Sequence, residues 1–215
     1  MSLYLSGLRK EYRRERLDEA TAAADPLSMF EEWFAEAAES GLVEPNAMTL
    51  ATATPEGKPS ARVVLLKDFD ATGFSFFTNY ASRKGQEIAA KSVRGADLLV
   101  GTAGAPDPHR GARAEKLDTD ESDAHFASRP QGSRLGAWVS HQSAVIPDRA
   151  VLEARLADLE AQYGDEAPPR PPYWGGYRVI PAVYEFWQGG LHRLHDRLRY
   201  TRRDDGMWDL VRLSP

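Results

Sequence analysis

The sequence predicts an α+β domain in which barrel-like antiparallel strands carry inserted helices. Three observations lead there. Apolar residues alternate with period two between residues 47 and 79 and again beyond 177. Two stretches, 26–40 and 148–163, instead repeat with the helical period. The helices interrupt runs of strands rather than alternating with them one for one, which argues against a doubly wound parallel sheet. With 215 residues, 42% of them hydrophobic, the chain can bury a real core. Residues 1–24 read as a basic arm and a linker, and 25–215 as one domain.

DPLSMFEEWFAEAAESGL gives the first helix. Asp25 can cap it, Pro26 suits its first turn, and Met29, Phe30, Trp33, Phe34 and Ala37 mark one face. Gly41 suits a left-handed stop. AMTLATAT (47–54), a PEGK turn and PSARVVLLK (59–67) then read as a hairpin. DFDATG reads as a turn, GFSFFTN (73–79) as a third strand and SRKGQEIAA (82–90) as a short helix. AEKLD (114–118) suits a strand, with Asp118 capping a helix to about Ala127. SRPQGSRLGAWVSHQS reads as irregular, DRAVLEARLADLEAQY (148–163) as a helix, and PPRPPYWGGY as a rigid loop. Three strands close the chain: YRVIPAVYEFW, HDRLRYTR and MWDLVRLSP.

Charge and composition exclude several classes of function. Twenty-seven Lys plus Arg against thirty-two Asp plus Glu leave −5, the wrong sign for a general nucleic-acid or membrane-surface binder. No run approaches the roughly 18 apolar residues of a membrane span, and Met1 to Arg16 lacks the apolar core of a secretory signal. There is no cysteine, which fits a cytoplasmic location and removes thiolate chemistry. GxGxxG, GxxxxGK[ST], HExxH and GxSxG are all missing. His192 and His195 lack a third donor, and the flanking arginines repel a cation, so no metal is expected there.

The positive signals are cations at the ends of elements. Arg62 and Lys67 bracket VVLL, with parities that place them on opposite faces unless a bulge intervenes. Ser82-Arg83-Lys84 opens a helix, where free N–H groups already favour an anion. Ser128-Arg129-Pro130-Gln131-Gly132-Ser133 puts a cation and two hydroxyls on a turn. Arg193, His195 and Arg197 share a strand face. Each taken alone reads as an ordinary solvated charge; four in an acidic chain point to more than one phosphate. YEFWQGG (184–190) reads either as a core Trp before a turn or as backbone free to approach a flat polar group.

RVVLLK, FFTNYASRK, SRPQGSRLGAWVSHQS, PYWGGYRV, EFWQGGLHRLHDRLRY and W-x-x-x-RLSP occur in this order. Together they resemble the pyridoxine/pyridoxamine 5′-phosphate oxidase family from about Leu8 to Pro215. The resemblance implies an FMN-binding split β-barrel with flanking helices, working as a homodimer with two flavins at its interface. It implies oxidation of pyridoxamine or pyridoxine 5′-phosphate to pyridoxal 5′-phosphate, with hydride passing to the flavin and O2 reoxidising it to give H2O2. By the same resemblance Arg62, Val63, Val64, Leu65, Leu66 and Lys67 line the flavin, with Phe77, Thr78, Arg83, Lys84, Gln142, Ser143, Trp187 and Arg197. Lys67, Arg129 and Ser133 grip the substrate phosphate, and Arg193 and His195 hold the pyridine ring as catalytic residues. His125 stands where the family has a phosphate-binding Tyr, which makes that contact depend on pH. Phe77 replaces a Tyr.

One stretch departs from the family. KSVRGADLLVGTAGAPDPHRGA (91–112) has four glycines, two prolines and no aromatic residue, and it lacks the Arg-Gln whose Gln contacts flavin. Two compensating frame shifts or plain divergence would each produce this loss and recovery of pattern. The segment is expected to be irregular. Two readings follow, an active oxidase or an impaired or non-catalytic FMN or pyridoxal-phosphate binder of the same fold.

Overall fold

The first helix, α1 (Pro26–Glu39), starts where Asp25 Oδ1 accepts from the backbone N–H of Leu27, and it stops before Gly41 at φ 76°. These are the cap, first-turn Pro and left-handed Gly that the sequence requires. The computed structural model describes residues 16–90, 97–100 and 112–215; the basic arm over 1–15 lies outside them.

After α1 come β1 (Ala47–Ala53), β2 (Pro59–Leu65), β3 (Asp68–Asp70), β4 (Gly73–Asn79) and helix α2 (Arg83–Ala90). Then follow β5 (Asp97–Val100), β6 (Arg113–Lys116), α3 (Thr119–Ser128), α4 (Gln131–Val139) and α5 (Ala150–Tyr163). The C-terminal part holds β7 (Trp174–Ile180), β8 (Val183–Gln188), β9 (Asp196–Arg202) and β10 (Trp208–Arg212). All pairings are antiparallel, in three sheets ordered β2-β1-β5, β3-β4-β7-β6 and β10-β9-β8. This is the expected α+β class.

One core joins the sheets. Met29 and Phe30 of α1 meet Met48 and Leu50 of β1, Phe74 and Phe76 of β4, Tyr177 and Val179 of β7, Phe186 of β8 and Tyr200 of β9. Phe30 meets Phe74 edge-on at 4.9 Å between centroids, a favoured aromatic geometry.

Four local expectations need correction. The stretch read as irregular contains α4, which has no side-chain N-cap and starts at Pro130, so no start signal announced it. Packing supplies what capping lacks: Leu135 and Val139 are buried, Trp138 Nε1 donates to Pro169 O (2.8 Å) and Arg155 donates to Val139 O (3.3 Å). YRVIPAVYEFW is two strands in two sheets, β7 and β8, because Pro181 has no N–H to continue a ladder. The DFD of the predicted turn pairs with β4 as β3. Within 91–112, Asp97–Val100 is a strand paired with β1 (Thr49↔Leu99), and its backbone covers that edge of β1. The irregularity expected over 91–96 and 101–111 lies outside the described residues.

Candidate active site

The parity conflict between Arg62 and Lys67 is resolved by a change of sheet. β2 ends at Leu65. The Leu66 N–H still bonds back to Asn46 O (2.8 Å), whereas the Lys67 N–H bonds to Ser75 O of β4 (2.9 Å). Leu66 turns into the core at 3% exposure, so Arg62 and Lys67 reach the same cavity.

That cavity has a volume of about 950 Å³. β2 and its extension contribute Arg62, Val63, Val64, Leu65 and Lys67, and β4 contributes Phe77, Thr78 and Asn79. Lys84 comes from α2, His125, Ser128 and Arg129 from the end of α3, and Ser133, Gly136, Ala137 and Ser140 from α4. Gln142 and Trp174 complete the wall. Among the described residues four cations line it and no Asp or Glu does.

Lys84 is buried, and its Nζ donates to Thr78 Oγ1 (3.2 Å) and Gln142 Oε1 (3.3 Å). Among the described residues no carboxylate pairs with it. Burial, and then the neighbouring Arg62, hold its ammonium below the usual lysine range, the situation of a cation that an incoming anion would stabilise.

Arg62 lies on the inner face of β2, opposite Leu50 of β1. Its Nη1 donates to Leu50 O (3.1 Å) and Thr52 Oγ1 (2.6 Å), and its Nη2 to Ser60 Oγ and Glu87 Oε2. Both hydroxyls in turn donate to Glu87 Oε2. Arg83 Nε donates to the other oxygen of Glu87 (2.8 Å), and the Arg83 backbone N–H donates to Ser143 Oγ (3.2 Å). Burial pushes the Glu87 carboxyl up, but Ser60, Thr52 and Arg83 outweigh it and hold it at about 2, so the group is an anion at neutral pH.

At the other end Phe77 lies nearly parallel to His125 (centroids 3.7 Å, 9°) and to Trp174 (5.5 Å, 13°). Arg129 sits over the Trp174 ring at 4.7 Å, and its buried Nη1 has no partner among the described residues, a donor that needs an acceptor. Burial first, then Lys67 and Arg129, lower the His125 pKa. The N-terminal turn of α4, carrying Ser133, adds backbone polarity favourable to an anion. An anion at either end and a largely apolar span between them fit the donor set for FMN beside a phosphorylated substrate.

The remaining expected residues stand apart from this wall. Arg83 and Ser143 bond to each other beside Lys84 and Gln142 in the chain. Trp187 and Arg197 lie in the C-terminal sheet, whereas Arg193 and His195 sit on the turn between β8 and β9 and so do not share a strand face with Arg197; none of the four lines the cavity. In that sheet Trp187 and Arg197 are cross-strand partners, and Arg197 donates to Glu185 Oε1 (2.8 Å) and Ser214 O (3.0 Å). Gly190 N–H donates to His195 Nδ1 (3.1 Å), which leaves the neutral ring with its proton on Nε2. A side chain at Gly190 would collide with Leu194 O. His192 and Arg193 both hold positive φ (56° and 65°), backbone strain of the kind found at functional turns.

Sequence reasoning named Ser133 but missed Glu87 and the rest of the α4 wall. Ser133, Gly136, Ala137 and Ser140 are spaced i, i+3, i+4, i+7, a one-sided helical stripe that was readable but was obscured by its glycines. Glu87 carried no signal, since a Glu inside SRKGQEIAA reads as solvated.

Two family models match the chain: "Pyridoxamine 5′-phosphate oxidase" over residues 34–163 and "Pyridoxine 5′-phosphate oxidase C-terminal dimerisation region" over 174–215. A pyridoxine/pyridoxamine 5′-phosphate oxidase of Ralstonia pickettii is 53% identical over 98% of this chain and 99% of its own length. One from Nostoc punctiforme is 52% identical over all of both chains. Among solved structures, PhzG from Burkholderia lata, in complex with tetrahydrophenazine-1-carboxylic acid, is 33% identical with a TM-score of 0.80, covering 94% of this chain and 98% of that one. A pyridoxamine 5′-phosphate oxidase-related, FMN-binding protein from Nostoc punctiforme, 17% identical with a TM-score of 0.65 over 91% and 99%, shares the fold. The fold is the FMN-binding split barrel, residues 174–215 are its dimerisation region, and the chain belongs to the pyridoxamine 5′-phosphate oxidase family.

Proposed function

We propose that the protein is an FMN-dependent oxidase, active as a homodimer, that converts pyridoxamine or pyridoxine 5′-phosphate to pyridoxal 5′-phosphate with O2 as acceptor, giving H2O2. The observation that carries this reading is a cavity lined, among the described residues, by four cations and no carboxylate in a chain of net charge −5. The names of the relatives at about half identity support it. When bound, FMN supplies the two-electron redox chemistry that no side chain here offers.

Lys84, with Arg83, takes the cofactor phosphate, Arg62 adding positive charge beside them rather than an Nη bond, and Thr78, Gln142 and Ser143 supply its polar edge. Val63, Val64 and Leu65 provide the flat apolar wall, with Leu66 fixing the strip from behind. Lys67, Arg129 and Ser133 bind the substrate phosphate, a remote grip that spends binding energy on position. His125, neutral at pH 7, contributes a hydrogen bond rather than a charge. The C-terminal sheet of the second subunit completes each site, bringing Trp187 and Arg197 to the flavin and Arg193 and His195 to the pyridine ring. His195 offers Nε2–H as a donor there. The test is anaerobic addition of pyridoxamine 5′-phosphate to the purified yellow protein. Bleaching of the flavin band, and its return with H2O2 on admitting air, are expected; an unbleached flavin would sink the reading.

The departure of 91–112 from family pattern favours a second reading, an impaired flavin binder. Replacing that segment by an aromatic, Arg-Gln-containing family hairpin tests it. Much tighter FMN binding by the chimera would support impairment, and equal binding would remove it.

A further inference from the structure

The buried carboxylate of Glu87 has no part in the reading above, yet it organises one end of the cavity. Every Nη proton of Arg62 is used. Two go to Leu50 O and Thr52 Oγ1, and two to Ser60 Oγ and Glu87 Oε2. The polarity of this ring is fixed, because a guanidinium can only donate. Thr52 and Ser60 therefore accept from Arg62 and pass their own protons to Glu87 Oε2, while Glu87 Oε1 takes Arg83. One carboxylate thus gathers two arginines, one from β2 and one from the first turn of α2, next to Lys84, which no carboxylate among the described residues pairs with.

We propose that Glu87 is a positioning residue for the cofactor-phosphate end of the cavity, fixing Arg62 and Arg83 beside Lys84 so that the chain distinguishes a phosphorylated flavin from a phosphate-free one. This rests on the reading of the cavity as an FMN site. Glutamine cannot replace Glu87. Oε2 receives three donors, and an amide placed there either points N–H groups at those donors or gives up the bond to Arg83. Removing a negative charge makes the cavity more positive, which by itself would favour an anion. That gain is spread over a cavity open to water and screened, whereas the loss of fixed geometry acts on directional, charge-assisted bonds. Geometry wins, and phosphate recognition falls.

The full-length protein, freed of bound flavin, is titrated with FMN and with riboflavin by flavin fluorescence. The quantity read is the ratio of the two dissociation constants. Glu87→Gln should lower the preference for FMN at least about tenfold, with riboflavin affinity nearly unchanged. A purely structural role would weaken both ligands alike and leave the ratio where it was. Ser60→Ala removes one relay hydroxyl, keeps the charge and leaves the core intact, and should lower the ratio severalfold; it carries the test if Glu87→Gln does not fold. A ratio that stays constant or rises in the folded variants would overturn the proposal. Equal binding of FMN and riboflavin by the wild type would overturn the FMN-site reading and this proposal with it.

Discussion

Phe77 and Gly176 are direct partners across β4 and β7, and the edge of the Phe77 ring fills the space a side chain at 176 would need. A Cβ there would lie 2.9 Å from Phe77 Cε1 and would also press on the Leu117 side chain. The missing side chain lets Phe77 lie nearly parallel to both His125 and Trp174. Gly176→Ala should therefore cost about 1–3 kcal/mol of stability by overpacking and loosen ligand binding at the stacked end. Thermal unfolding checks the first part and ligand titration the second; an unchanged melting temperature would contradict the packing argument.

Arg129 should serve the phosphate of the substrate rather than the fold. Its buried Nη1 lacks a partner among the described residues, and a charge-assisted bond gained there is worth roughly 1.5–3 kcal/mol. Arg129→Ala should raise KM for pyridoxamine 5′-phosphate about tenfold or more, with little change for unphosphorylated pyridoxamine. Equal losses on both substrates would place Arg129 outside the phosphate site.

His125 gives stability a pH dependence of definite sign. Burial, then Lys67 and Arg129, lower its pKa, so the unfolded chain takes up this proton near pH 6.5 and the folded chain only below that. Because the unfolded state binds more protons in this window, stability is full above about pH 6.5 and declines as pH falls through it toward the folded pKa. His125→Tyr removes the titration. Between about pH 7.5 and about pH 5.5 the wild-type melting temperature should fall further than that of the variant; parallel curves would show that His125 does not titrate differently on folding.

Arg193 sits on a strained turn of the dimerisation region, away from the cavity of its own chain. Arg193→Leu should lower kcat/KM at least about tenfold, or ~1.4 kcal/mol, while flavin content and folding hold. The wild type should sediment at twice the 23.9 kDa chain mass. A flavin-loaded monomer with full activity would rule out a site shared between subunits.

Most of this architecture was legible because local chemistry and tertiary packing agree. Asp25-Pro26 and the Asp118 capping box mark helix starts, and strict alternation marks β1, where Met48, Leu50 and Thr52 are the buried positions. Where the two disagree the sequence misleads. α4 carries Gly132 and Gly136 and no cap, and only its packing against α5 and the cavity makes it helical. The cations at Lys84 and Arg129 were readable as types of residue. Their lack of a carboxylate partner among the described residues was not, because it depends on how separate elements pack: Glu87, one helical turn from Lys84, is taken by Arg62 and Arg83, a relationship across two elements that no local pattern encodes.

The change of sheet between Leu66 and Lys67 also makes chain length a measured quantity. Lys67, bonded into one sheet, lies five residue steps beyond Arg62, bonded into another, and an extended chain covers at most about 3.3–3.6 Å per residue. The strip works as a ruler between the two cationic ends of the cavity, with one end anchored in each sheet. A surface loop absorbs an inserted residue with little effect. Here one residue more or less would reverse the facing of Leu66, empty its place in the core and change the separation of the two phosphates together. Within this stretch substitutions are graded, whereas insertions and deletions act as all-or-none changes.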